Sequence, residues 1–125
     1  MAPRAVGLTG LESYFWLAER PRRIRAQATV ARLVVTAEAR PVQYVWTFGD
    51  GTDRVTRGPG RRWTRRRPGT IGHTYEASNR YRLLVEVIWE ARWRLGTGPW
   101  RPLGYFTNSD TRGYRVREVI AVLVD

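Results

Sequence analysis

The stretch Val42-Gln43-Tyr44-Val45-Trp46-Thr47-Phe48-Gly49-Asp50-Gly51 decides the fold. Side chains alternate across an extended strand, so Val42, Tyr44, Trp46 and Phe48 share one face. Gly49-Asp50-Gly51 then ends the alternation, and its glycines supply the positive φ values that a tight hairpin requires. Working outward, residues 81–89 alternate in the same way, with Tyr81, Leu83, Val85, Val87 and Trp89 on one face. Leu84 and Ile88 on the other face mark that strand as central.

Three further stretches read as strands. Residues 29–37 are β-branched, with Ala31, Leu33, Val35 and Ala37 on one face. Residues 13–18 place Tyr14, Trp16 and Ala18 opposite Phe15 and Leu17, and residues 115–124 form the last strand. A helix over residues 10–20 is outweighed by their aromatic density. Arg40-Pro41 reads as a turn, and residues 20–25, with Pro21, as a basic break. Period two with closely spaced turn signals predicts an all-β sandwich or barrel. Two long loops remain, 52–72 and 96–113; loops of that length usually hold a hairpin or a function. Extra hairpin strands are expected near Trp63 and over residues 103–107.

A chain of 125 residues holds one domain, and its 42% hydrophobic content is globular. The absence of cysteine excludes disulfides, thiol nucleophiles and thiolate metal sites, and the single histidine, His73, excludes a poly-histidine metal site. All 22 basic residues are arginine, as a high-GC genome would encode. Against 11 acidic residues they leave +11, a balance that suits acidic partners. The longest apolar run, residues 119–124, is too short to cross a bilayer. The N-terminus lacks a charged and then apolar leader, so either the protein stays in the cytoplasm or a leader was removed.

Trp46-Thr47-Phe48-Gly49-Asp50-Gly51, then His73-Thr74-Tyr75, then the strand opening at Tyr81 resemble the PKD domain in order and spacing. That family is marked by Trp-Asp-Phe-Gly-Asp-Gly, His-x-Tyr and Tyr-x-Val-x-Leu-x-Val segments. The resemblance covers residues 29–124 and implies an immunoglobulin-like antiparallel β-sandwich with an arginine-rich hairpin inserted. Its structural signature here is Trp46, Phe48, Gly49, Asp50, Gly51, His73, Tyr75 and Tyr81. Thr47 stands where the family has aspartate, and Asn79-Arg80 where it has Pro-Gly. Residues 1–28 form a lead-in strand and basic linker outside the motif. They resemble the lead-in of actinobacterial exported proteins. In such a fold Trp46 fills the space between the sheets, and Tyr75 or Tyr81 ties a loop back through its hydroxyl.

No residue pattern points to catalysis. His73 lacks a cysteine, a second histidine or a Gly-x-Ser-x-Gly segment, and reads as a structural histidine whose ring nitrogens bond to backbone. Asp50 and Asp53 are too few for calcium, which takes ~6 to 8 oxygen ligands. They read as turn aspartates bonding their own backbone. Glu86 and Glu90 are expected to pair with arginines on neighbouring strands. Neither metal nor cofactor is expected.

Arg54, Arg57, Arg61, Arg62, Arg65, Arg66 and Arg67 surround Trp63, with only Asp53 as a nearby opposite charge. They cannot all be buried, so the 52–72 loop is expected to project into solvent as a basic finger that turns at Gly58-Pro59-Gly60. Guanidinium groups bind phosphate and carboxylate bidentately, and tryptophan stacks on bases or sugars. The alternative is a solvated hairpin steadied by arginine–tryptophan stacking. Trp63, Trp93 and Trp100 are the surface tryptophans and Trp46 and Trp89 the core ones. The expected role is a non-catalytic cell-surface or secreted adhesion module contacting protein or polysaccharide. The alternatives are a polyanion binder, for nucleic acid or an anionic cell-wall polymer, and a structural subunit assembling through a sheet edge.

Overall fold

The computed structural model describes residues 6–117. These residues are all-β, without a helix. Eight strands run in chain order: β1 Gly7–Leu8, β2 Glu12–Tyr14, β3 Ile24–Val30, β4 Leu33–Thr47, β5 Asp53–Thr56, β6 Gly72–Thr74, β7 Asn79–Leu95 and β8 Arg101–Arg117. Six of them form one mixed sheet in the order β1-β8-β7-β4-β3, with β5 also pairing β4. The β3 and β5 strands occupy opposite ends of the same flank of β4. Strands β2 and β6 form a separate small sheet. The large sheet curls strongly into a half-barrel, so the molecule is not a clear immunoglobulin sandwich. The second layer expected from the motif is reduced to two strands of three residues each.

That small layer closes the core. Phe15, just beyond β2, packs its ring 5.4 Å from both Phe48 and Tyr114. Ile71 and Tyr75 flank β6 and are fully buried. Facing them are Tyr44, Trp46 and Phe48 from the β4 side, Tyr81, Leu83, Val85, Val87 and Trp89 from β7, and Tyr114 and Val116 from β8. Both sequence assignments of core tryptophans hold, with Trp46 2% and Trp89 5% exposed. Hydroxyl groups tie the layers. Tyr75 donates to the Phe48 carbonyl at 2.9 Å, Tyr81 to the Ala77 carbonyl at 2.6 Å, and Tyr114 to Ser13 Oγ at 2.9 Å. Gly49 and Gly51 take φ of 89° and 90°, as the turn requires. A Cβ on Gly49 would also stand 2.6 Å from the Arg82 carbonyl oxygen.

Several expected boundaries move, each for a physical reason. The strand read over residues 29–37 is a hairpin: β3 turns into β4 through Ala31 and Arg32, at φ of 48° and 66°. Two left-handed residues make the turn type that matches strand twist, but neither is the Gly, Asn or Asp that normally announces it. The basic break at 20–25 accordingly gives way to β3 at Ile24. Arg40-Pro41 is not a turn but lies inside β4, beside a register shift between Pro41 and Gln43. Proline is tolerated at a bulge, and residues 40–43 fall between the start of β3, where Ile24 pairs Ala39, and the end of β5, where Thr56 pairs Tyr44, on that flank of β4.

The 96–113 loop is mostly β8, which starts fourteen residues earlier than residue 115. Asn108-Ser109-Asp110 reads as a turn by composition, yet pairs with Val87, Glu86 and Val85 of β7. It is polar because it lies on an exposed outer strand. The strand expected at 103–107 is part of β8; the one near Trp63 is absent, since no strand lies between Thr56 and Gly72. The run 119–124 lies outside the described residues.

Trp46 also donates its indole N–H to Thr56 Oγ1 at 3.0 Å. Trp46→Ala is expected to cost about 3 to 5 kcal/mol, the scale for truncating a core aromatic. Thermal and urea unfolding would measure it; a melting temperature within two degrees of the parent would remove Trp46 from the core.

Candidate functional site

Three places gather chemistry-bearing residues. The first is the Gly49–Gly51 turn, where Asp50 behaves as the turn aspartate expected of it. Its Oδ1 accepts from the Thr52 N–H at 3.2 Å and from the Thr52 hydroxyl. His73 departs from expectation. Its Nε2 lies 2.6 Å from Asp50 Oδ2, rather than on backbone, and 3.3 Å from Thr52 Oγ1. The ring stacks on Phe48 at 4.1 Å and meets Tyr75 edge-on at 4.6 Å. Burial pushes the Asp50 carboxyl up, but the hydrogen bonds from Thr52 and His73 outweigh it and leave the group below its ordinary range. Burial also holds the Tyr75 hydroxyl far above its usual value.

Asp, His and Thr recur in nucleophilic relays, but a relay uses opposite ring nitrogens for the carboxylate and the hydroxyl. Here both contacts fall on Nε2, and the threonine proton is committed to Asp50. The arrangement joins the turn to β6. Among the described residues no group of three or more His, Cys, Asp or Glu side chains is placed to hold a metal.

The second place is the arginine loop. Arg54 belongs to β5, and Arg57, Arg62, Trp63, Arg65, Arg66 and Arg67 are exposed. Gly58-Pro59-Gly60 is the loop's anchor and not its projecting tip. Pro59 is buried, its carbonyl accepts from Leu17 N–H at 2.9 Å, and a Cβ on Gly60 would stand 2.5 Å from the Phe15 carbonyl oxygen. The tip is Thr64–Arg67, closed by Thr64 N–H to the Arg67 carbonyl at 2.9 Å. Arg61 is half-buried and donates its Nε–H to the Pro68 carbonyl at 2.8 Å.

The third place was not legible as a site in the sequence. Strands β4, β7 and β8 are 15, 17 and 17 residues long, against roughly 5 to 6 for an ordinary strand. The core uses only the half up to Trp89. Beyond it the sheet continues as a four-stranded arm of β3, Leu33 to Ala39 of β4, the end of β7 and the start of β8. Pairing sets its two faces. One is polar. There Glu38 is 3% exposed and accepts from Arg25 Nη2 at 2.8 Å and from Arg92 Nη2 at 2.8 Å, with Arg23 Nε 3.6 Å away. Gln27 donates to Thr36 on the same face, Arg40 pairs with Glu90 at 3.7 Å as expected of Glu90, and Arg92 and Arg94 stack on Trp100.

The other face continues the core side of the sheet. Ile24, Ala26, Ala28 and Val30 of β3 lie opposite Ala39, Ala37, Val35 and Leu33 of β4. Ala91, Trp93 and Leu95 follow on β7. Every residue of β3 is exposed, and Val30, Leu33, Leu95 and Phe106 stand open to solvent. Trp93 is half-buried, with Arg101 over its ring at 5.6 Å, and Phe106 stacks on Trp89 at 5.7 Å. Ile24, Val30, Leu33, Leu95 and Phe106 are thus large apolar side chains exposed along this face. Among the described residues, no strand pairs the outer side of β8 before Val116, where β1 joins it. No protein family, curated protein or solved structure matches this chain.

Hydrogen bonds from Arg25 and Arg92, helped by the nearby Arg23 charge and opposed by burial, hold the Glu38 carboxyl at about 2, below its ordinary 4.5. A depressed carboxylate stabilises the fold above its unfolded value, and that contribution disappears as pH falls toward the folded one. The arm should therefore loosen between pH 4.5 and about 2. Glu38→Gln should lower the melting temperature at pH 7 by several degrees and flatten its decline across that window. Amide exchange along β3 against pH is the measurement, and an unchanged profile in the variant would remove Glu38 as the cause.

Proposed function

We propose that this chain is a non-catalytic interaction module, a reduced PKD-like core that carries an arm for assembly with other protein. Strand order supports the core assignment: β1 lies parallel to β8, followed by β7, β4 and β5, with β2 and β6 opposite. An immunoglobulin-like sandwich likewise sets its C, F and G strands against a B–E pair. The observation that carries the functional reading is the arm's alternating, largely apolar face, where Arg101 lies over Trp93. A sugar site needs polar groups converging beside an aromatic platform. This face is dominated by alanine, valine and leucine, and suits a protein surface of the same character. The family resemblance favours the cell surface or the exterior as the place of action.

The experiment is size in the source cells. A tagged chain, cross-linked in place and sized, is expected in an assembly larger than itself, and Ala28→Arg is expected to release it. A chain that runs alone both with and without Ala28→Arg would sink the reading.

A second reading, polyanion binding, is favoured by the exposed Arg62-Trp63 and Arg65-Arg66-Arg67 tip. On heparin or single-stranded DNA, affinity should fall steeply with salt, by a log–log slope of about 0.7 per phosphate neutralised on single strands. Replacing Arg61, Arg62, Arg65, Arg66 and Arg67 by serine should remove most binding and flatten that slope. Equal binding by the two proteins would place any polyanion site elsewhere.

A further inference from the structure

We infer that a cleft at the end of the β7–β8 ladder far from the arm is a binding site for a tetrahedral, doubly charged oxyanion, the chemistry of a phosphoryl group. Tyr81, Tyr114 and Val116 are buried, so strand alternation turns Arg80, Arg82, Arg115 and Arg117 to the outer face. Pairing sets Arg80 directly opposite Arg115. Like charges in that relation destabilise a ladder. On the arm, Arg23, Arg25 and Arg92 gather around the carboxylate of Glu38. Here no such acid is supplied. Within the described residues, none of these four guanidinium groups makes an ion pair or donates a hydrogen bond.

The lining selects the ligand. Ser78, Asn79, Arg80, Arg115, Val116 and Arg117 surround an open cleft of about 620 Å³, inside the ~300–1,000 Å³ range of small-molecule sites. Its polar side chains offer donors. A guanidinium has N–H donors and no acceptor. Asn79 Oδ1 already accepts from the Arg80 backbone N–H at 2.7 Å, which leaves the Asn79 amide nitrogen to donate. Ser78 adds a hydroxyl, and no carboxylate lines the cleft. Arg80 lies across β8: a Cβ on Gly113 would stand 3.3 Å from its Nε. Each guanidinium fork can hold two oxygens of one anion. A planar carboxylate is satisfied by a single fork, whereas a tetrahedral oxyanion has oxygens for forks from both strands. It also brings the negative charge that the Arg80–Arg115 pair lacks. The site shares no residue with the Arg61–Arg67 tip and does not depend on the role of the arm.

The purified full chain tests this by melting in inorganic phosphate and in sodium chloride at equal ionic strength, which cancels the general screening of a +11 chain. Phosphate should raise the melting temperature saturably, as a ligand of the folded state does, and chloride should not match it. Calorimetric titration gives the affinity, and the Nε–H resonances of Arg80 and Arg115 should shift along the same curve. Arg80→Gln and Arg115→Gln should each weaken phosphate at least tenfold, or about 1.4 kcal/mol. Each also relieves the like-charge pair, so in chloride both variants should melt at or above the parent. That result separates lost binding from lost folding. Replacing Arg61, Arg62, Arg65, Arg66 and Arg67 by serine should leave phosphate affinity unchanged. Methyl phosphate distinguishes the sources of the group: a site for an ester-borne phosphoryl binds it as tightly as inorganic phosphate, and a site for the free ion rejects it. No saturable gain over chloride, unchanged affinity in Arg80→Gln and Arg115→Gln, or loss of binding in the five-serine variant would overturn the inference.

Discussion

The ladder from β4 through β7 to β8 fixes the rest of the molecule. It brings three long strands into one register and gives the sheet two unlike halves. In the first half, β7 alternates large apolar side chains into a space that β2, β6 and their flanks can close. In the second half the alternation continues with nothing on the described chain to meet it. Hydrogen bonding alone does not explain why the strands persist so far, because unpaired backbone is satisfied by water at little net cost. On the polar face, the buried Glu38 and its arginines staple β3, β4 and β7 side by side. The charge is desolvated but fully bonded, and losing one partner would leave a carboxylate or guanidinium unpaired.

At the core end, a chain of four contacts among five residues holds the curled sheet to the small one. Tyr75 reaches the backbone of Phe48, Phe48 stacks on His73, His73 meets Asp50, and Asp50 bonds back to Thr52. The turn, β6 and, through the stacking of Tyr75 on Tyr81 at 4.3 Å, the start of β7 are therefore one unit of polar and aromatic contacts. Gly49 has two reasons to be glycine, its left-handed φ and the closeness of the Arg82 carbonyl.

The core half was readable from residue order because each signal there is local. Alternation names the buried faces of β4 and β7, where Trp46 and Trp89 fall. Gly49 and Gly51 announce their own turn. The arm was hidden by missing punctuation. Ala31 and Arg32 turn the chain with no glycine, Pro41 stops nothing because a bulge absorbs it, and Asn108-Ser109-Asp110 looks like a loop while serving as an outer strand. Glu38 could have been found only after the hairpin was known. Its neighbours Arg25 and Arg92 are cross-strand partners and distant in sequence. Gly58-Pro59-Gly60 misled in the opposite sense, since buried Pro59 makes an anchor from residues that read as a tip.

The two register shifts have a mechanical meaning. Val42 is the extra residue in β4, and Leu103 the extra one in β8. They flank β7 on either side, three residues apart along it, at the level where the core ends. Bulges bend a strand and sharpen its twist. A crease thus crosses the sheet from one flank to the other, with Trp89 and Ala91 as its spine. The arm meets the body along this line.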